Sequence, residues 1–390
     1  MIEAIEKTQE LKIKKSSWKL TKLGDLAEDI SKRVDNPSAS AYDRFVGLEH
    51  FVSGDIKIKN SGSTENLASS AKAFQAGDIL FARRNAYLRR ASIVDFDGCC
   101  SGDAFVIREN HNKVVPRFLA FLMNSDALWD YANSNAAGTM SKRVKWRDLA
   151  EYEFLLPPKE EQAKLAELLW TMDEVIEKEK GLLINLENSY MLNVDYLFSN
   201  EHKDWKYIPL GEISYINSKS LTSKIDPSYE FHYLDLASIL EPKVIGELKK
   251  IRFGEAPSRA KRIVNDKSIV LAMVRPYQKA FVFVENGKDL IASTGTSIIN
   301  MHDDNLAHFV FHQFFSKRFS RYCEDRMTGT NYPAITPKDL FEFKVSIPND
   351  IKLVKTESKK MEDFDIAISV IKKKIERSKS LQKSLINQVF

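Results

Sequence analysis

Trp18-Lys19-Leu20-Thr21-Lys22-Leu23-Gly24-Asp25-Leu26 and Trp205-Lys206-Tyr207-Ile208-Pro209-Leu210-Gly211-Glu212-Ile213 carry one pattern, 187 positions apart. Ser31-Lys32 and Ser218-Lys219 keep that offset. Ile79-Leu80-Phe81-Ala82 then answers to Ile269-Val270-Leu271-Ala272 and Tyr87 to Tyr277, each 190 apart. Gly138-Thr139 falls over Gly329-Thr330, Asp148-Leu149 over Asp339-Leu340 and Pro157 over Pro348, each 191 apart. A drift of a few positions is what insertions in surface loops leave in a duplicated domain. The chain is an internal pseudo-repeat, and its 390 residues suit two hydrophobic cores better than one.

Within each copy, short apolar runs such as Gly77 to Ala82 and Ala280 to Val284 are bounded by Gly, Asp or Asn, the pattern of buried strands. A helical patch follows in each, Pro116 to Tyr131 and Leu306 to Cys323. After Pro157-Pro158 in the first copy, and after Pro348 in the second, the pattern becomes a long helix free of Pro. Met361, Phe364, Ile368, Ile371, Ile375, Ser378, Gln382, Leu385 and Val389 step by three and four, as do Leu169, Met172, Ile176, Glu179, Leu183, Leu186, Tyr190, Asn193 and Leu197. Such a seam predicts coiled-coil helices, most simply antiparallel partners of one another. The expected fold class is α+β, with two similar β-rich globular domains and two long helices.

Composition narrows the function classes. Hydrophobic content of 43% and charged content of 29% suit a folded soluble protein, and no run approaches the roughly 18 apolar residues of a membrane span. Residues Met1 to Trp18 carry Glu3, Glu6, Lys7, Glu10, Lys12, Lys14 and Lys15 without an apolar core, so no secretory signal is expected and a cytoplasmic location is. Three cysteines, Cys99, Cys100 and Cys323, form no CxxC pair and read as packing residues. A net charge of +4 is too mild to establish nucleic-acid binding, so local clustering has to carry that inference.

Clusters occur in matching places. Arg83, Arg84, Tyr87, Arg89 and Arg90 follow a predicted strand, and Lys142, Arg143 and Lys145 follow the Gly138-Thr139 turn. The second copy offers Arg259, Lys261 and Arg262, then Arg275, Tyr277, Gln278 and Lys279, with Thr330 after its Gly turn. Cations neutralise phosphates while Arg, Gln and Thr can meet base edges, so these are the candidate DNA contacts, Arg83 and Arg275 foremost. Catalytic signatures are missing: no Gly-rich cofactor loop with an Asn/Asp-Pro-Pro-aromatic motif, and no GxxxxGK[ST] loop for ATP. No cofactor is expected. His308 and His312 lie four apart on a predicted helix but lack the Glu of HExxH and an evident third ligand, so they read as packing or surface residues and no metal is expected.

The order of these features resembles the specificity (S) subunit of Type I restriction-modification enzymes along essentially the whole chain. The residues that carry it are Trp18, Leu23, Gly24, Asp25 and Trp205, Leu210, Gly211, Glu212, then Gly77-Asp78-Ile79-Leu80, Gly138-Thr139 with Asp148-Leu149, and Leu156-Pro157-Pro158-Lys159-Glu160-Glu161-Gln162. Ile347-Pro348-Asn349-Asp350-Ile351 and Asp266-Lys267-Ser268 depart from that pattern in the second copy. The resemblance implies target-recognition domains at residues 1–156 and 201–348, and spacer helices at 157–200 and 349–390. It implies a chain without turnover that binds double-stranded DNA, each domain reading half of a split asymmetric site. Its partners would be two methyltransferase (M) subunits and restriction (R) subunits, with no membrane and no small-molecule substrate. A coiled-coil scaffold with two protein-binding domains is the alternative, and it leaves the paired basic loops unexplained.

Overall fold

The computed structural model describes residues 13–139, 141–240, 243–244 and 247–390. Residues 1–12, which hold most of the charges of the amino-terminal stretch, lie outside them. The chain divides into two compact units, Met1–Gly181 with Lys373–Phe390, and Leu182–Lys372. No helix among the described residues is long and apolar enough to cross a membrane.

In the first unit an antiparallel sheet runs in the order Ala27–Asp29, Ala104–Glu109, Ile79–Ala82, Ala91–Ile93. All four residues of Ile79–Ala82 are buried. Successive side chains of a strand point to opposite faces. Ile79 and Phe81 join one core with Phe105, Trp129 and Leu169, while Leu80 joins another with Val46, Phe74 and Val106. Burial on both faces is the reason the sequence shows a continuous apolar run rather than an alternating one. The opposite face meets a second sheet, ordered Arg33–Val34, Ala71–Phe74, Gly98–Cys100, Arg44–Val46, Gly62–Ser63. Lys19–Lys22 pairs with Glu153–Leu156 and so brings the start of the domain to the start of the first long helix.

The second unit repeats this plan. Its antiparallel sheet runs Ser214–Ile216, Thr296–Met301, Ser268–Ala272, Phe281–Val284. A second sheet runs Lys249–Arg252, Glu230–Leu234, Leu290–Ser293, Ala260–Ile263, with one parallel pair in the same place as in the first unit. Trp205–Pro209 pairs with Lys344–Pro348. The departure at Ser268 proves to be a coupled exchange. Asp78 of the first unit is buried and takes two bonds from Arg108, at 2.7 and 2.8 Å. At the same two places of the second unit Ser268 Oγ donates to Asn300 Oδ1 at 2.6 Å.

Each predicted helical patch is two helices rather than one: Leu119–Leu122 and Asp126–Ser134, then Ala307–Gln313 and Lys317–Glu324. The interruption is a cap. Ser125 Oγ accepts from Leu128 N and Ser316 Oγ from Phe319 N, so a hydroxyl satisfies the orphan amide of the third helical residue and starts a new helix.

The long helices span Lys159–Phe198 and Ile351–Val389. Every seam position of the second is buried or half-buried. In the first helix Asn193 is exposed and Val194 is buried in its place, so the seam slips by one residue there. Within the first unit Ala166 and Leu169 pack in one core with Leu385, Ile386 and Val389, and Gln382 Nε2 donates to Leu169 O at 3.3 Å. Within the second unit Tyr190 and Val194 share a core with Val354 and Met361. Cys99, Cys100 and Cys323 are free and buried; desolvation pushes the thiols of Cys100 and Cys323 up to about 12.

Candidate nucleic-acid interface

The two basic segments of the first unit, separate in sequence, are one surface in space. Asn85 N donates to Lys142 O at 3.0 Å and Val144 N to Arg83 O at 2.9 Å, which zips the loop after Ile79–Ala82 to the segment after Gly138. Gly138 has φ +124°, and a Cβ there would meet Ser141 O at 3.2 Å, so the turn that aims this segment requires glycine.

Beneath the surface sits Asp103. Arg143 Nε donates to Asp103 Oδ1 at 2.9 Å, Arg84 Nη1 stands 3.5 Å from Oδ2, and Arg83 Nε stands 3.9 Å from Oδ1. The Arg143 hydrogen bond, with the charges of Arg83 and Arg84, holds the Asp103 carboxyl below its usual range. One carboxylate against three guanidiniums leaves a net positive face, and exposed Lys142 and Lys145 extend it. Tyr87 projects beside it, 68% exposed.

Arg89 and Arg90 point elsewhere. Arg89 pairs with Asp126 and, at 2.9 Å, with Asp130, while Arg90 Nη1 donates to Leu48 O at 3.0 Å. Burial lowers the pKa of Arg90. These two cations tie the loop down.

The second unit builds the same frame with other side chains. Arg275 N donates to Pro333 O at 2.7 Å and Ile335 N to Met273 O at 3.1 Å, the bonds made by Asn85 and Val144 in the first unit. Met273 N donates to Gly295 O as Arg83 N does to Asp103 O. Backbone geometry therefore sets Arg275 over Asn85, not over Arg83, and both occupy the left-handed region, with φ of 51° and 53°. Arg83, Arg84, Arg143 and Asp103 become Met273, Val274, Ala334 and Gly295: the three cations and their counter-charge are exchanged together.

Arg275 here lies over the Tyr332 ring at 5.1 Å, and Nη2 donates to Asn331 O at 3.2 Å. Tyr332 is 70% exposed, and Tyr277, Gln278 and Thr330 are exposed too. Sequence reasoning missed Tyr332; its place opposite Ser141, three residues beyond the glycine turn in each copy, was the available signal. Lys279 is half-buried with Nζ on Phe315 O at 2.9 Å, and burial lowers its pKa. Arg259 and Lys261 are exposed along Ala260–Ile263 and Arg262 is half-buried. Thr294 N donates to Arg259 O, one residue before Gly295, which brings Arg259 toward the loop.

The segments that bear the sequence signature also have structural work. Trp18 Nε1 donates to Glu161 Oε2 at 2.7 Å, and buried Gln162 bridges Val115 N and Pro157 O, which locks the first turns of the long helix onto the unit.

Comparison with known proteins agrees with this architecture. Residues 15–188 match the family described as Type I restriction modification DNA specificity domain. The type I restriction enzyme EcoDI specificity subunit of Escherichia coli is 27% identical over 169 residues, 42% of this chain and 36% of that protein. The HindI specificity subunit of Haemophilus influenzae is 29% identical over 175 residues, with the same shares. The aligned segment thus spans little more than a third of those two relatives. A sequence named as the MjaX specificity subunit of Methanocaldococcus jannaschii is 21% identical over 411 residues, covering 95% of this chain and 92% of its own. Among solved structures, the S subunit from M. genitalium is 16% identical with a TM-score of 0.58, covering 96% of each chain. A chain from work on complex assembly and conformational transition of the type I R-M system is 20% identical, with the same TM-score and coverage. At those identities the likeness speaks for the fold alone. With its paired sheets and two long helices, the chain is similar along its length to specificity subunits of Type I restriction-modification systems, and residues 15–188 match their DNA specificity domain.

Proposed function

We propose that this chain is the non-catalytic, sequence-reading component of a Type I restriction-modification complex on double-stranded DNA. One observation carries the reading: a constant two-loop backbone frame occurs twice, and its exposed side chains differ between the copies. A frame kept with its contact residues exchanged is what reading two different half-sites demands, since hydrogen-bonding groups at base edges carry the sequence information. In this reading Arg83, Arg84, Tyr87, Lys142, Arg143 and Lys145 face one half-site, and Arg259, Lys261, Arg262, Arg275, Tyr277, Gln278, Thr330 and Tyr332 face the other. Arg89, Arg90 and Lys279 hold the loops that present them.

Residues 1–156 and 201–348 act as target-recognition domains, and the helical segments 157–200 and 349–390 set the length of unread spacer. Two methyltransferase subunits and the restriction subunits supply the chemistry, and the chain itself holds no cofactor. The test is a genome-wide map of methylated bases with this gene intact and deleted. The expected outcome is loss of methylation at one split, asymmetric motif on deletion. An unchanged map in cells that express the partner subunits would sink the reading.

A further inference from the structure

His308 and His312 stand four residues apart, the first on the Ala307–Gln313 helix just after its start and the second one turn on. A spacing of four puts both imidazoles on one helix face. The third member comes from far along the chain: Asp365, on the second long helix. Asp365 Oδ2 lies 3.6 Å from His312 Nε2 and 3.8 Å from His308 Nε2. One donor atom from each of the three lies within 4.8 Å of the others, the one such grouping of three metal-competent side chains among the described residues.

An ordinary buried hydrogen-bond cluster would satisfy every inward polar atom, because an unmade bond to a buried group costs about 1–3 kcal/mol. Here His312 is fully buried, and its Nε2 has no hydrogen-bond partner. The other ring nitrogen is fixed: Nδ1 lies 2.7 Å from the buried Tyr190 hydroxyl, which turns Nε2 toward Asp365 and His308. His308 is likewise oriented by a hydrogen bond to the Ser358 backbone, and Glu362 and Glu285 add negative potential beside it. Imidazoles whose second nitrogen is held by a hydroxyl or carbonyl, and whose first converges on a carboxylate, are arranged as metal ligands are. The two separations from the carboxylate agree: donors about 2.0–2.1 Å from a tetrahedral ion sit about 3.3 Å apart, a few tenths of an ångström inside the 3.6 and 3.8 Å between Asp365 Oδ2 and the two imidazoles.

We propose that His308, His312 and Asp365 bind a divalent first-row metal ion of the zinc class. Two neutral nitrogen donors and one carboxylate are the set zinc favours. The ion occupies a structural site inside the second unit, where it joins the helix that follows the sheet to the second long helix. No step of DNA recognition depends on it.

The test uses the purified full-length chain, stripped with a chelator and returned to chelator-free buffer, then titrated with Co(II) as a spectroscopic probe and with Zn(II) in competition. One equivalent of Co(II) with visible d–d absorption of a tetrahedral or five-coordinate site, displaced by Zn(II), is the expected result. Asp365→Asn and His308→Ala should each lower Co(II) affinity by at least about 100-fold, and Tyr190→Phe, which removes only the orienting hydroxyl, by about 10-fold. Circular dichroism verifies that each variant is folded, and the half-buried position of His308 makes its alanine variant the safeguard should Asp365→Asn fail to fold. Absence of d–d bands in the wild type overturns the proposal. So does Co(II) binding of unchanged affinity in folded His308→Ala, which would put the ion elsewhere; sulfur-to-cobalt charge transfer would then identify a cysteine site.

Discussion

Asp103 is the residue on which the character of the first basic face turns. It shares its carboxylate among Arg143, Arg84 and Arg83, and it is the position that becomes Gly295 where those arginines are absent. Replacing Asp103 by Asn keeps the shape and removes one negative charge. Nonspecific duplex affinity should rise, and the slope of log K against log salt should steepen by about 0.9 if the freed charge meets one more phosphate. An unaltered slope would mean that this face does not meet DNA. The same variant has a pH signature. Arg143, then Arg83 and Arg84, hold the folded-state pKa of Asp103 below its unfolded value near 3.9. The stabilisation is therefore fully present above that unfolded value and is lost as pH falls through the folded one. Wild type should exceed Asp103→Asn in stability at pH 7, with the gap closing below about pH 4; urea midpoints at the two pH values measure it. A gap of equal size at both would assign the difference to something other than ionisation.

At the scale of elements, the final helix is more than an appendage. Leu385, Ile386 and Val389 are buried in the core that also holds Phe121, Trp129 and Leu169, and Asn387 bonds Asp126 through both its side-chain atoms. Leu385→Ala should cost about 2–5 kcal/mol, and removal of 373–390 should unfold the first unit although its own sheets are untouched. Limited proteolysis read by mass spectrometry checks this, with early cleavage between residues 13 and 156 as the expected outcome. Intact resistance there would mean that the unit is self-sufficient. These elements were legible because their causes are periodic: a seam stepping by three and four, and apolar runs repeated at near-constant offset. The slip at Asn193 was not, since polar Asn at a seam position and buried Val194 beside it differ by one residue in an amphipathic face. Nor was the breaking of each helical patch at Ser125 and Ser316, where a local cap outweighs apolar periodicity. The site was half legible. Arg clusters announce themselves, but Asp103 is a lone acid in a turn, and the equivalence of Arg275 with Asn85 rests on backbone bonds that no residue type encodes. Whether Arg89 faces outward or pairs with Asp126 and Asp130 depends on contacts 37 and 41 positions away.

For the whole molecule, the proposed split-site reading makes helix length a determinant of specificity. The first long helix has 40 residues and the second 39, near-equal lengths that a shared ruler requires. Each runs through both compact units, as Lys159–Phe198 crosses the boundary at Gly181 and Ile351–Val389 the boundary at Lys372. One heptad adds about 10 Å to an α-helix at 1.5 Å per residue, the rise of about three base pairs at 3.4 Å each. Inserting a heptad into both helices near those boundaries preserves the three-and-four seam, so packing within each unit is retained. The half-site sequences depend on loops that the insertion leaves alone. Methylation mapping of cells carrying the lengthened gene should therefore return the same two half-sites with a longer spacer. A second insertion, of four residues, breaks the seven-residue register and rotates one face relative to the other, so it should abolish methylation rather than shift it. If the heptad variant methylates the original motif with its original spacer, the helices are not the ruler, and spacing must be fixed by the partner subunits instead.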